Sequence, residues 1–441
     1  MPESASSFAE RLRALITNRG ISYRALARQT FYSKSYLHDL ACGRKMPALN
    51  TAQRLDTALA AGGTLVALAP VPGVDEERTA SGGAQSLRCD AERLAGLLVT
   101  QTPTTENAAA LAHQWLITEP PQRYELSAGR RVGDETVARI EDRVRQLRRL
   151  DDHVGGAETY AMVSAELAAT ADLLREGSYR EAVSRRLLVV IADLCQLAGF
   201  VAEDSGRVAE ARHYYLTGMR AAHTGGDAAS AANCLSSLSY LEANLGDRRE
   251  AATLARSAYV GGKHAAEATG QALLLERVAW AHARMGEASL AERALGNVAE
   301  IYQHVDLGDA PPWAYWLTQD EVQVMAGRVW TELRRPLRAV PILEDAVRRY
   351  GDDSPRETSL YLGWLTQALL QAGEVEQAVA VAVAGRSATL ARSARSQRAV
   401  DRVAELRHMI AAVEGRTSAA DEFLELSAGM SADPGGHLEG Q

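Results

Sequence analysis

Apolar residues recur every three to four positions along almost the whole chain, the spacing of helices that bury one face. Phe8, Leu12, Leu15 and Ile16 begin the series, and Gly20 stands where a helix end favours a left-handed residue. Ser7-Phe8-Ala9-Glu10 is a capping box and predicts a helix opening at Ser7. Ser22 caps a second short helix, Tyr23 to Gln29, with Leu26 and Ala27 turned inward. Ser33 caps a third that runs through Leu37 and Leu40 to Gly43. Asn50 caps a fourth, on which Leu55 and Leu59 lie one turn apart, and Gly62-Gly63 leads into a last turn, Leu65 to Leu68.

Beyond residue 70 the pattern loosens. Residues 70–88, with Pro70, Pro72, Gly73, Gly82 and Gly83, read as a linker. Helix returns over 89–117, with Leu94, Leu97, Leu98 and Leu111, until Pro120-Pro121 breaks it. Asp134 to Leu150 carries Val137, Ile140, Val144 and Leu147 on one stripe, a strongly amphipathic helix. It serves as a connector, a dimer helix or a first repeat layer.

Then the chain repeats itself. Gly-x-x-x-x-Ala occurs at Gly177/Ala182, Gly206/Ala211, Gly246/Ala251, Gly286/Ala291 and Gly373/Ala378. Gly327 takes the matching place in a further unit, with Glu332 in place of the alanine. Each unit reads as an apolar helix, a Gly-bearing turn and a second helix whose small residue permits close approach. Steps of 40 residues from 206 to 246 to 286 leave about 17 residues per helix, roughly 25 Å. A stack of such hairpins is concave, lined by the first helix of every unit. In that register Asn233 and Tyr240 fall on the inner wall, followed by Arg277, Trp280 and Arg284, then Trp364 and Gln367. Asparagine offers a donor and an acceptor, arginine a fork for a carboxylate, and tryptophan a flat apolar face. A short peptide or small effector fits that chemistry; inter-repeat packing is the plainer use of the same aromatics. Pro311-Pro312-Trp313-Ala314-Tyr315-Trp316 either lines the mouth of the groove or marks a loop.

Charge changes the picture. Residues 1–70 hold nine Lys and Arg against four acids, while the whole chain has a net charge of −8, so a basic head precedes an acidic body. Such a head approaches phosphates. A third helix of eight or nine residues fits the major groove with its N-terminal side chains at base edges.

The stretches Ile21 to Arg28, Tyr32 to Leu37 and Gly43-Arg44-Lys45-Met46-Pro47 resemble the phage-repressor (Xre) family of helix-turn-helix domains. Leu55-Asp56-Thr57-Ala58-Leu59 followed by Gly62-Gly63 is similar to the form found in actinobacterial regulators. The segment from Arg130 to Gly156 resembles the part that precedes the repeats in those regulators. Two positions depart from the family: Phe31 stands where the turn usually has glycine, and Ala41 where the third helix usually ends on an acid. The resemblance implies that Ser33, Lys34, Ser35, Tyr36 and His38, at the start and outer face of the third helix, meet DNA. Lys34 then donates to guanine O6 and N7, and Ser35 and His38 meet base edges. Ser22, Tyr23, Arg24, Arg44 and Lys45 suit phosphates, which set register and salt dependence. One domain grips little surface, so a homodimer on two half-sites is expected. The repeat region is similar to tetratricopeptide repeats, with a unit longer than their usual 34 residues.

The expected fold is all-α: a five-helix helix-turn-helix domain over 1–69, linker and connector helices over 70–156, and a right-handed α-solenoid of tetratricopeptide-like hairpins over 157–414. A tail follows over 415–441, with one turn of helix over Asp421 to Leu426 and a mobile stretch from Ser427 onward. The expected function is a DNA-binding transcription regulator whose repeats sense a peptide or small molecule or mediate dimerisation. The alternative is a DNA-tethered scaffold whose repeats hold a partner protein. Double-stranded DNA is the partner, with no membrane and no cofactor, and the location is the cytoplasm. The start lacks a secretion signal, and no run reaches the 18 apolar residues of a membrane span. Cys42, Cys89, Cys195 and Cys234 form no C-x-x-C pair and read as buried or half-buried thiols. Gly261-Gly262-Lys263-His264 has neither the spacing nor the hydroxyl of a phosphate-binding loop, and no nucleophile or metal motif suggests an enzyme.

Overall fold

The computed structural model describes residues 8–30, 32, 34–43, 45, 47, 49–68, 107–120, 130–154, 156–305, 307–350, 354–384, 386–413 and 417–430. The expected caps Ser7 and Ser33, together with Phe31, Arg44, the linker 70–88, Cys89 and the end of the tail from 431, lie outside them. The chain is all-α; among the described residues the one strand pairing is parallel and two residues long, β1 (Arg130–Arg131) with β2 (Gly177–Ser178). Among the described residues no helix is long and apolar enough to cross a membrane. Contacts divide the chain into two units. One is drawn from Met1–Arg93, Gln122–Val137 and Asp172–Ser184; the other from Leu94–Pro121, Ala138–Ala171 and Arg185–Gln441.

In the first unit the amphipathic stripes predicted for the head form α1 (Phe8–Asn18), α2 (Tyr23–Thr30), α3 (Lys34–Ala41) and α4 (Leu49–Ala58). Leu12, Leu26, Leu37, Leu40, Leu55 and Leu59 are fully buried and make one core. The N–H of Ala25 donates to Ser22 Oγ at 3.2 Å, so the second helix carries the cap its sequence announces. The fourth helix opens at Leu49 and takes in Asn50 instead of being capped by it. The expected fifth helix is a single turn, in which the N–H of Ala67 donates to Gly63 O at 2.9 Å. That turn is fastened by Asp56, a buried carboxylate that accepts from the N–H groups of Gly63 (2.7 Å), Leu65 (2.8 Å) and Val66 (3.4 Å). Asp56→Ala strands those donors at the edge of the core. The expected cost is about 2–3 kcal/mol, visible as faster amide exchange at Leu65 and Val66; exchange unchanged there would contradict this role.

The second unit is a stack of helical hairpins. After α5 (Ala108–Ile117), α6 (Asp134–Val154) and α7 (Gly156–Glu176) come α8 (Glu181–Asp204) and α9 (Val208–Gly225), α10 (Ala228–Leu245) and α11 (Arg248–Gly262), and α12 (Ala268–Arg284) and α13 (Ala288–Tyr302). They continue as α14 (Gln319–Glu332) and α15 (Pro336–Arg349), α16 (Pro355–Ala372) and α17 (Val375–Ala384), α18 (Ser387–Ser393), α19 (Gln397–Ala411) and α20 (Ser418–Leu426). The first helices of successive hairpins, α10, α12, α14 and α16, pack side by side. Leu235 and Leu238 are buried in α10, as their spacing requires. Gly286 and Gly373 reverse the chain at φ 75° and 84°, angles that glycine alone adopts without strain.

Two repeat markers fall elsewhere than expected. Gly177 lies between α7 and α8, out of phase with the turns that join the two helices of a hairpin. Gly327 lies inside α14; a Cβ there would come within 2.9 Å of Leu343, so this glycine serves close helix packing. The turn after α14 is made instead at Arg334, with φ 55°. In the tail, the helix expected over Asp421 to Leu426 begins at Ser418, and it buries Ala420 and Phe423, with Met430 from the stretch expected to be mobile, in one cluster with Val403 and Ile410. Five or more apolar side chains leaving water together outweigh the ordering of that turn. Helix α5 lies on α11, where a Cβ on Gly261 would meet the Trp115 ring at 2.2 Å. Cys195 and Cys234 are buried, whereas Cys42 is exposed.

Candidate functional site

Two surfaces carry chemistry, one in each unit. On the head, α2 and α3 pack against each other and α1 packs on α3. Arg24, Lys34, His38 and Lys45 are exposed, as is the capping Ser22. Tyr23 and Tyr36 are only half-exposed and lean on the head core, so their rings support the surface as much as form it. Tyr36 stacks on buried Tyr32 at 5.4 Å, and Lys45 Nζ sits 5.6 Å over the Tyr36 ring. Tyr32 also donates to Thr51 Oγ1 at 3.4 Å, tying the turn before α3 to α4. His38 lies 5.8 Å from the Tyr23 ring and 3.6 Å from Cys42 Sγ. Ser35 lies in α3; Ser33 and Arg44 fall outside the described residues. The face of α3 that bears Lys34 and His38 is thus open to solvent, with aromatic rings beneath it.

A family model described as a helix-turn-helix domain matches residues 7–69. The head is a helix-turn-helix domain. Its four helices and open cationic face support a DNA-binding regulator. No curated protein matches the chain.

In the repeat unit, the first helices enclose a cavity of about 960 Å3. Asn233 and Tyr240 reach it from α10, Arg277, Trp280 and Arg284 from α12, and Trp364 and Gln367 from α16. The seven residues placed on the inner wall by the repeat register therefore line one space. Arg148, Asp151 and Asp152 join them from α6, the helix whose sequence left its role open. Trp313, Tyr315 and Trp316 line it too, so the Pro-Trp cluster belongs to the wall, and Tyr315 Oη donates to Asp152 Oδ2 at 2.6 Å.

Sequence reasoning missed the arginines that dominate the interior: Arg328 on α14, Arg356 on α16, and Arg398 and Arg402 on α19. Taking Gly327 as a turn hid Arg328, and α19 follows the last Gly-x-x-x-x-Ala unit, so no marker pointed to it. Arg328 is caged, its guanidinium carbon 5.5 Å from the Tyr240 ring, 4.8 Å from Trp280 and 5.2 Å from Trp364. Trp280 and Trp364 meet edge-on at 5.5 Å, and Trp280 Nε1 donates to Asn244 Oδ1 at 3.0 Å. Arg402 covers Trp364 at 3.8 Å and donates to Gly363 O, to Gln367 Oε1 and to Glu405 Oε2. Arg284 is likewise engaged, bound to Ala243 O at 3.0 Å and to Glu332 at 2.8 Å.

The wall is closed by a clasp between its early and late helices. Asp204, at the end of α8 and fully buried, accepts from Arg398 Nε at 2.8 Å, Ser396 Oγ at 2.6 Å and Arg356 Nη1 at 3.5 Å. Burial pushes its pKa up, but the two guanidinium groups outweigh that and hold it below its ordinary value. Arg356 also binds Asp151 at 3.1 Å, and both Arg356 and Arg398 face the Phe200 ring.

Glu276, next to Arg277, is 1% exposed, and neither carboxyl oxygen has a hydrogen-bond partner among the described residues. Burial pushes its pKa up to about 8, against the pull of Arg277 and Arg328. Below about pH 4.5 the folded and unfolded chains both hold this proton. As pH rises from there towards 8 the unfolded chain alone gains by ionising, so stability drains away across that window and then levels off. Glu276→Gln is expected to remove this loss: little change in Tm at pH 5, and at pH 8 a rise of roughly 2–4 °C for each kcal/mol relieved. Thermal melts at the two pH values decide it, and equal shifts at both would rule out the titration.

Proposed function

We propose that the chain is a transcription regulator that binds double-stranded DNA through an Xre-like head, with a tetratricopeptide-like repeat region over 157–414 that senses a small effector. Lys34, Ser35 and His38 read bases, while Ser22, Arg24, Arg44 and Lys45 hold phosphates. Two chains bind two half-sites in the cytoplasm, because one such domain buries too little surface for tight binding. The observation that carries the sensing role is the convergence of the seven inner-wall residues on one cavity of about 960 Å3. That volume lies at the upper end of the roughly 300–1,000 Å3 of small-molecule sites. A pocket of this size suits a small ligand. Binding changes how the hairpins stack, and regulation follows if the two arrangements differ in ligand affinity.

The test is to sequence genomic fragments retained by the purified protein, with and without a small-molecule extract of cells. A reproducible set of fragments that alters with the extract supports the reading. Absence of any enriched fragment removes the DNA-binding role, and enrichment indifferent to every extract removes the sensing role.

A further inference from the structure

Seven arginines line the cavity, and five of them are matched by acids. Arg148 pairs with Asp193, Arg284 with Glu332 and Arg402 with Glu405; Arg356 and Arg398 share Asp204. Arg277 and Arg328 are different. Arg277 has neither ion pair nor hydrogen bond among the described residues, and its Nε is a buried donor with no acceptor. Arg328 donates only to Tyr240 Oη, at 2.6 Å, and its Nε is also unmatched. Glu203 and Glu276 near Arg277, and Glu276 and Glu321 near Arg328, form no ion pair with them among the described residues, and burial pushes all three acids towards the protonated form. What holds the two cations is the ring between them: Tyr240 lies 4.3 Å from the Arg277 guanidinium and 5.5 Å from that of Arg328.

Contact with a ring face stabilises a guanidinium through its flat side and leaves the in-plane N–H donors unspent. Two half-buried cations whose Nε donors are buried and unspent are costly unless an anion arrives. Asn233 adds a third group: it is 3% exposed, lines the cavity, and its side-chain amide has no hydrogen bond among the described residues. Leu197, Leu273, Met325, Leu360 and Met409 supply an apolar part of a wall that is otherwise polar.

We propose that the cavity binds a small organic anion: a carboxylate or phosphate head held by Arg277, Arg328 and Asn233, with an apolar body lying along the leucine and methionine wall. This rests on the sensing role proposed above and names the chemical class of the effector. The planar fork of each arginine matches a carboxylate or phosphate edge, and a neutral amide of the same shape supplies no charge to the pair. In the free protein Arg277 and Arg328 thus lack an ion pair among the described residues, and the ligand supplies it.

The experiment measures calorimetric affinity of the full-length chain for 2-naphthoate, decanoate and 2-naphthyl phosphate, each beside a neutral partner: 2-naphthamide, decanamide and 2-naphthol. Tryptophan emission gives a second readout, since Trp280 and Trp364 ring Arg328. At least one acid is expected to bind tenfold or more tightly than its neutral partner, and the better of carboxylate and phosphate identifies the head group. Arg277→Gln is expected to reduce that preference to under threefold. Acids no tighter than their neutral partners overturn the proposal on the unaltered protein, and so does full preference retained in Arg277→Gln. The sensing role fails separately: an acid that fills the cavity yet leaves DNA affinity unchanged preserves the anion site and removes the regulation. A neutral or peptidic extract component that shifts DNA affinity while no acid binds does the reverse.

Discussion

Replacing Asp204 by alanine is expected to cost about 3–5 kcal/mol, the usual penalty for removing one partner of a buried ion pair. The carboxylate is fully buried and accepts from Arg398, Arg356 and Ser396. Arg356 keeps Asp151 and Glu357, but Arg398 has no second acid within ion-pair distance among the described residues. The loss is therefore that of a stranded cation rather than of one bond. A fall in Tm of roughly 10 °C is the expected reading, with Asp204→Asn milder because the amide oxygen still accepts. Arg145→Ala is the control, since its pair with Asp142 is half-exposed on both sides and such pairs contribute about 0–1 kcal/mol. Equal melting of the Asp204 and Arg145 variants would remove the clasp from the account. The sign with pH also follows. Because the folded pKa of Asp204 lies below its ordinary 3.8, its stabilisation is present above that pH and disappears as acid takes the solution down through the folded value.

The second large effect concerns DNA. Arg24 and Lys34 are both exposed, and neither has an ion pair among the described residues. Lys34→Ala is expected to cost about 1–3 kcal/mol on the preferred sequence and to relax preference at one base pair. Arg24→Ala weakens all sequences alike and lowers the slope of log K against log salt by about one. Together they reduce affinity on the order of 100-fold, combining two contacts of that size. Titration of a labelled duplex at two salt concentrations separates the contributions. Affinity and salt slope both unchanged in the double variant would place the DNA surface elsewhere on the head.

Much of the fold was legible because its signals are local. Ser22 caps the second helix within four residues of itself, and the leucines of the head repeat within one turn. The inner wall was legible for the same reason: with Gly246 and Gly286 marking turns, helical spacing brings Tyr240 and Trp280 to a common side. The method failed where a glycine had another use. Gly327 serves close packing against Leu343, so reading it as a turn shifted that unit and concealed Arg328. The clasp was beyond reach for a different reason. Asp204 and Arg398 are 194 positions apart, and no local pattern says which of many acids meets which arginine. The tail's helix shows in its own residues only as a single turn, because Phe423 buries itself against distant helices, a gain invisible in its own neighbourhood.

Trp115 rests on Gly261 with no room for a side chain between them. Helix α5 precedes the whole stack in sequence yet is seated on the outer helix of its third hairpin, counting from α6. With no side chain on Gly261 to hold them apart, the indole and that helix meet directly. Gly261→Ala, whose methyl has no room beside the ring, would lift α5 away from the hairpin.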